Sequence, residues 1–563
     1  MNFPTLQEWR AQVDKELGGA SFEKTLVYRT PEGISVAPLY TELPPGGAAT
    51  LDRTGAPFRI CMQEGVGTGV AQVDADIAGG ADAVWLRGSD TTTEPLLARV
   101  DLARTFLVLD TDGASPVEAL ERLARRGATG ATSFALACDP FAALATGATT
   151  DARPYLTGLA EASRSAADRF PLATTVVASS LPYHDAGADD ADEIAIVLST
   201  GVAYLETLLG AGLSVDVAAR QIALQIAVGR DTFGEACKLR ALRVVWEKVL
   251  VAAGATDAHR TLVHAVCSSR TLAQRDPWVN MLRVSTQVFA AVVGGADVVT
   301  PAAFDQALGS PSELARRVAR NTALVLRDES HLGRVVDPAA GSYYFEALTD
   351  ALAREAWKRF QAIERDGGIG TGLTSGHLRA SLEAAWQARV EAIAKRKLPI
   401  LGVSEFANLK ESLPHPATAT EPRANSTGLP VHRDSEAFER LRSRADAVEP
   451  PPEALLVTLG PLAESRPRVG FATGFFGAGG IASRETTADE AATLACICGS
   501  DERYAAEAVE RARTLKAAGC KRVLVAGRPG ALEAALRDAG VDGFLFVGCD
   551  AVAMLSDLLG EFQ

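Results

Sequence analysis

The sequence predicts an α/β protein of two parts, a (β/α)8 barrel followed by a small doubly wound parallel domain, on three observations. Short β-rich apolar runs alternate with longer helical stretches from about residue 57 to residue 330. The runs number eight, the count at which right-handed crossovers close a parallel sheet on itself. After a proline-rich interval the alternation resumes from Arg468 to the end.

The eight runs are 57–64 (PFRICMQE), 82–88 (DAVWLRG), 105–110 (TFLVLD), 132–138 (TSFALAC), 174–181 (TTVVASSL), 222–229 (IALQIAVG), 261–268 (TLVHAVCS) and 296–300 (ADVVT). The last barrel helix carries a start signal: Ser310 as cap, Pro311 in the first turn, and Glu313 completing S-x-x-E before Leu314, Val318 and Val325. Residues 347–397 read as further helices. Eight of the 27 prolines then fall between Pro399 and Pro452, so 398–466 reads as a linker that carries one charged helix (SEAFERLRSRADAVE). The closing domain, 467–563, is read with strands at 468–473, 492–498, 521–526 and 543–547. Ser500 caps a helix whose apolar stripe is Tyr504, Ala508, Ala512 and Leu515, and Gly519 stops it. Residues 1–56 form an N-terminal extension and 57–397 the barrel with its additional helices.

The chain has 563 residues, 56 Lys+Arg against 70 Asp+Glu, and 47% hydrophobic residues, which excludes disordered, collagenous and disulfide-scaffold classes. A net charge of -14 argues against a nucleic-acid or anionic-membrane partner, because a phosphate surface meets a like-signed average field. The cysteines sit mostly in apolar runs, as small buried hydrophobes do in a reducing compartment, and the only close pair, Cys496 and Cys498, lacks zinc spacing. The N-terminus MNFPTLQEWRAQVDKELGG has no apolar core of a signal peptide, and no stretch reaches the roughly 20 uncharged apolar residues of a membrane span, so a cytoplasmic location is expected.

Chemistry in both architectures belongs at the carboxyl ends of the strands. There stand Gln63 and Glu64, Asp110 and Asp112, Asp139, and Tyr183, His184 and Asp185. Asp112 and Asp139 precede helices and read as caps. Tyr183 and His184 form a phenol–imidazole pair suited to hydrogen-bonding a carbonyl or to general-acid work, and with Asp110 or Glu64 they would suit a self-sufficient barrel enzyme. In the closing domain Gly474-Phe475-Phe476-Gly477 superficially resembles a phosphate loop, but two phenylalanines obstruct the backbone approach that glycines permit.

TPEGISVAPLYT at 30–41, YHDAGA at 183–188, QRDPWVNMLR at 274–283, ARNT at 319–322 and DPAAGSYYFE at 337–346 together resemble the methylmalonyl-CoA mutase family over nearly the whole chain. That resemblance implies a barrel threaded by an acyl-CoA and a flavodoxin-like C-terminal domain. It also implies adenosylcobalamin held through a D-x-H-x-x-G motif whose histidine ligates cobalt, for a radical shift between methylmalonyl-CoA and succinyl-CoA. Here no histidine occurs from residue 433 to residue 563, and the only D-x-H, Asp257-Ala258-His259, lies in the barrel. Where catalytic chains of the family carry R-Q-Y-A-G, this chain reads Met62-Gln63-Glu64-Gly65-Val66, placing a carboxylate toward an anionic substrate. Their glutamine after the fourth strand and the arginine further on that grips the substrate carboxylate are not matched at Ala137-Cys138-Asp139-Pro140. The resemblance therefore narrows to the small, non-catalytic subunit of the heterodimeric enzyme. That subunit's Tyr183 and His184 are vestigial and its 474–477 segment a degenerate cofactor loop whose aromatics take the nucleotide tail's space. It holds no metal, and a homologous large subunit holds adenosylcobalamin. Two other readings follow from the same residues: the acid–base barrel enzyme, and a mutase chain that borrows a separate cobalamin-binding protein.

Overall fold

Eight parallel strands close on themselves in the computed structural model, which describes residues 4–49, 51, 57–65, 67–110, 115–256, 261–414 and 428–562. They are β1 (Arg59–Glu64), β2 (Ala83–Leu86), β3 (Phe106–Asp110), β4 (Phe134–Cys138), β5 (Thr174–Ser179), β6 (Ile222–Val228), β7 (Val263–Cys267) and β8 (Val298–Thr300). Each pairs with the next, and β8 returns to β1 with Val299 opposite Ile60. Every strand lies inside one of the eight apolar runs.

Strand side chains alternate in direction, and the burial follows that period. Cys61, Ala83, Trp85, Phe106, Val108, Ala135, Val266 and Val298 pack together along the barrel axis. Their neighbours Val84, Leu86, Leu107, Leu109, Phe134 and Leu136 pack outward against helices.

The helices used below are α1 (Val70–Ala78), α2 (Leu181–Asp185), α3 (Asp190–Gly210), α4 (Thr232–Ala252), α5 (Glu313–Leu324), α6 (Tyr343–Arg365), α7 (Glu436–Asp446), α8 (Leu462–Ala478) and α9 (Ala551–Gly560). α3 is long and apolar because it is a core helix, buried on most of its faces. α5 begins two residues later than the S-x-x-E pattern suggested. Ser312, not Ser310, is its cap and accepts the Ala315 N–H at 3.2 Å, because Asp305 holds the Ser312 N–H at 3.0 Å and delays the first turn. Asp139 caps a helix as expected, accepting the Ala142 N–H at 2.8 Å. Asp112, Val66 and the 257–259 tripeptide lie outside the described residues.

The closing domain is a five-stranded parallel sheet of β9 (Glu453–Thr458), β10 (Ala482–Thr486), β11 (Leu494–Cys498), β12 (Arg522–Ala526) and β13 (Gly543–Leu545), ordered β10-β9-β11-β12-β13. This is the flavodoxin-like order. Two expectations are corrected here. The first strand is 453–458, inside the expected linker, so the domain starts ahead of residue 467. Residues 468–473 belong to α8 rather than to a strand, and Gly474–Gly477 continue that helix rather than forming a loop. Three consecutive prolines at 450–452 mask the strand that follows them, while the apolar residues of 468–477 follow the helical period: Val469, Ala472 and Phe476 are buried together. α7 and the turn around Ile400 and Val403 are buried in that same cluster with α8 and α9, so much of the supposed linker is a packed junction.

Candidate functional site

At the barrel's carboxyl edge α2 begins directly after β5 and carries both Tyr183 and His184 inward. His184 Nδ1–H donates to Glu193 Oε1 at 2.7 Å, and Ser268 Oγ, just past β7, lies 2.6 Å from Nε2. Glu193, in the first turn of α3, also accepts from Ser180 Oγ at 2.7 Å and from Lys238 Nζ at 3.2 Å. Lys238 reaches Asp190 at 3.1 Å and Glu235 at 2.6 Å as well. Burial lowers the His184 imidazole from its ordinary value, and the nearby Arg270 charge adds to that, so the ring is neutral near pH 7. Burial would raise Glu193, but the Lys238 charge, with the hydrogen bond from His184, outweighs it and holds the carboxylate at about 2. Glu235, buried beside Asp190, is pushed up to about 8 despite Lys238.

Ser268, His184 and Glu193 thus stand in the order of a nucleophile, its base and an orienting acid. Ser268 is 2% and His184 1% exposed, so no acyl group can reach the hydroxyl. Tyr183 is fully buried elsewhere, its hydroxyl 3.5 Å from Phe141 O. The predicted pair is adjacent in sequence but does not converge on one space.

Asp139 accepts the Ser179 N–H at 2.9 Å and the Tyr204 hydroxyl in addition to its cap bond, and burial lifts it to about 6. Asp110 is 3.4 Å from Arg87 at the rim. Glu64 departs from expectation. Cys61 faces the axis, so Glu64, three residues on, faces outward, where it pairs with Arg316 of α5 at 2.6 Å beside Asp76 of α1. Burial raises it to about 8, and Arg316 opposes this. It presents no carboxylate to the axis.

Sequence reasoning missed the axis itself. Ser179 Oγ donates to Gln225 Oε1 at 2.8 Å, Gln225 Nε2 donates to His264 Nδ1 at 3.1 Å, and His264 Nε2–H donates to Thr300 Oγ1 at 2.8 Å. Trp85 sets its ring edge-on to His264, centroids 5.3 Å apart. Burial drives His264 down to about 3, so it stays neutral. With Phe106, Val108 and Val266, and with Leu262 and Leu181 packed against them, these groups fill the axis with side chains. The available signals were Trp85, His264 and Gln225, large or polar residues at axis-facing positions, and the Glu235–Lys238 pair one helical turn apart among buried positions of α4.

In the closing domain the carboxyl end of β9 runs through Leu459-Gly460-Pro461 straight into α8. A corrin bound there through a histidine would need an imidazole, and residues 433–563 contain none. Phe475 and Phe476, 1% and 0% exposed, fill the layer between α8 and the sheet against Ile481, Cys496 and Leu555. The residues present do not fit that group. Among the described residues no cluster of three His, Cys, Asp or Glu side chains could hold a metal ion.

Comparison with known proteins agrees with this architecture. The family model for methylmalonyl-CoA mutase matches residues 144–448. The methylmalonyl-CoA mutase small subunit of Streptomyces virginiae is 37% identical over 99% of this chain and 96% of its own length. That of Propionibacterium freudenreichii subsp. shermanii is 33% identical over 99% and 96%. The methylmalonyl-CoA mutase of Escherichia coli (strain K12) is 29% identical over 71% of this chain and 64% of its own. With the family model matching more than half of the chain and the alignments to relatives running through both the eight-stranded barrel and the doubly wound sheet, the chain belongs to the methylmalonyl-CoA mutase family and is similar end to end to members named small subunits.

Proposed function

We propose that this chain is the non-catalytic subunit of a heterodimeric, adenosylcobalamin-dependent methylmalonyl-CoA mutase, acting in the cytoplasm. In this reading a homologous large subunit holds the cobalamin and the acyl-CoA and carries out the isomerisation. The present chain folds on its own core and lends that partner a surface.

One observation carries the reading: the barrel axis, through which a thioester would have to thread, is a packed core. Trp85 is 2% exposed and Val108 1%, the Ser179–Gln225–His264–Thr300 chain lines the inner wall from β5 to β8, and Trp85 of β2 meets its His264 from the other side. Opening it would forfeit the packing of several large side chains, of order 3–5 kcal/mol for the tryptophan alone. The missing imidazole beyond residue 432 and the closed His184–Ser268 contact point the same way. Relatives named small subunits support a large partner.

The test is to purify the chain alone and again after co-expression with a homologous large subunit. Isomerase activity and the visible cobalamin spectrum are then recorded with added coenzyme. Activity and cobalt colour are expected only in the co-purified complex. Rearrangement of methylmalonyl-CoA by the isolated chain, or a tight base-off complex with it, would overturn the reading.

A further inference from the structure

Residues 30–33 form a tight turn between the short antiparallel strands Tyr28–Arg29 and Ser35–Val36. Gly33 N–H donates to Thr30 O at 2.9 Å, Ile34 N–H donates to Thr30 Oγ1 at 3.2 Å, and Gly33 takes φ 84°, which suits glycine. The turn carries Glu32 to the first turn of α3, where its Oε1 accepts the Asp190 N–H at 3.1 Å.

The helix end it meets is already crowded with carboxylates. Asp189 caps α3 by accepting the Asp192 N–H at 2.9 Å, and Asp190, Asp192 and Glu193 follow in the first turn. The cations packed there are shared out. Lys238 of α4 serves Asp190, Glu193 and Glu235. Arg359 of α6 lies 2.6 Å from both Asp189 and Asp192 and 3.0 Å from Glu355. Arg389 is taken up at 2.7 Å by Asp434, which Arg230 also approaches. Tyr28 and Asp231 complete the titratable groups on this side. Among the described residues no ion pair involves Glu32, so an ionised Glu32 would face Asp189 and Asp190 with the α3 N-terminus and hydrogen bonds from Thr30 and the turn backbone, but no cation, to favour it.

We propose that Glu32 is a proton-operated clasp. Protonated, it holds the 28–36 hairpin on α3; ionised, it is repelled by Asp189 and Asp190 and lets the hairpin lift from the barrel. Burial, with Asp190 and Asp189 pushing in the same direction, raises this carboxyl to about 7, which sets the clasp near neutrality. The docked hairpin keeps a proton that the free one loses above the ordinary carboxylate range, so lifting becomes easier as pH rises toward 7 and levels off beyond it. Lifting works against the packing of Ile34 and Val36 on the core, and ionisation leaves the anchors beyond the hairpin in place: Tyr40 against Tyr344 at 5.7 Å, and the Ala49 N–H donated to Glu346 at 2.9 Å. The hairpin loosens while the chain after it stays attached.

Hydrogen–deuterium exchange of the full chain, read on peptides spanning 28–36 and corrected for intrinsic exchange, tests this. The opening equilibrium should rise roughly 30-fold from about pH 5.5 to about pH 8.5 in the wild type. Glu32→Gln should exchange with no such slope, and Val36→Ala, which weakens the packing at either pH, should raise exchange while keeping the slope. A flat wild-type profile overturns the proposal. So does an unchanged slope in Glu32→Gln, which would assign the proton to Asp192 or Glu235. Glu32 lies on a half-exposed turn, and an unaltered global urea midpoint confirms that the variant is folded.

Discussion

His184 Nε2 lies 2.6 Å from Ser268 Oγ in a region closed to solvent, so the imidazole that sequence alone offers as a general acid is a structural link between α2 and the end of β7. Truncating it leaves Glu193 and Ser268 each short of a buried partner.

His184→Ala should therefore cost about 2–4 kcal/mol of stability. The assembled mutase's turnover per folded heterodimer should be unchanged. Urea unfolding of the chain and steady-state kinetics of the complex measure the two separately. A large loss of turnover with an unaltered unfolding midpoint would restore the acid–base reading of Tyr183 and His184.

Trp85→Ala should cost about 3–5 kcal/mol, because the axis is bounded on all sides by paired strands and collapses poorly around a void. The hole should not turn the chain into a thioester binder. Calorimetric titration with an acyl-CoA is expected to give no heat with wild type or variant.

His264 makes the barrel acid-sensitive. Its folded-state value, driven down to about 3 by burial, lies below the ordinary 6.5, so below about pH 6.5 the imidazolium of the unfolded chain must lose its proton to fold. The stability it contributes is complete above that point and declines as pH falls, by about 2 kcal/mol at pH 5. Denaturant midpoints at pH 7 and pH 5 should differ accordingly, and His264→Gln, which keeps hydrogen-bonding groups near Gln225 and Thr300, should reduce the difference.

Lys238 and Glu235 are 2.6 Å apart yet should respond unequally to mutation. Lys238→Met strips the cation from Glu193 and Asp190 and should cost about 3–5 kcal/mol at pH 7. Glu235 is raised to about 8, so the carboxyl is largely protonated there, and Glu235→Gln should change stability by less than about 1 kcal/mol. Thermal unfolding of the two variants side by side decides it.

The barrel strands were legible because a strand buried on both faces has to be apolar along its length, and each of β1 to β8 falls inside such a run. β9 is hidden behind Pro450–Pro452, and 468–473 within α8 reads as a strand because its β-rich composition outweighs the helical spacing of Val469, Ala472 and Phe476. The helix cap at Ser500 and the stripe of Tyr504, Ala508, Ala512 and Leu515 were correctly read, since both are set by neighbours within a few turns. Glu64 was misjudged by direction alone. Its identity suggested a carboxylate facing a ligand, while the two-residue period turns it toward Arg316, 252 residues away.

By itself the sequence determined the family, the alternation that builds both sheets, and the lack of any histidine after residue 432, because composition and short-range period are properties of the chain read in order. The tertiary structure alone decided that the barrel axis is filled and that His184, Glu64 and Lys238 spend their polarity on internal partners. Hydrogen bonds and Coulomb interactions depend on distance in space, and the partners that neutralise these groups, such as Ser268 at 84 positions from His184, come together only when the barrel closes.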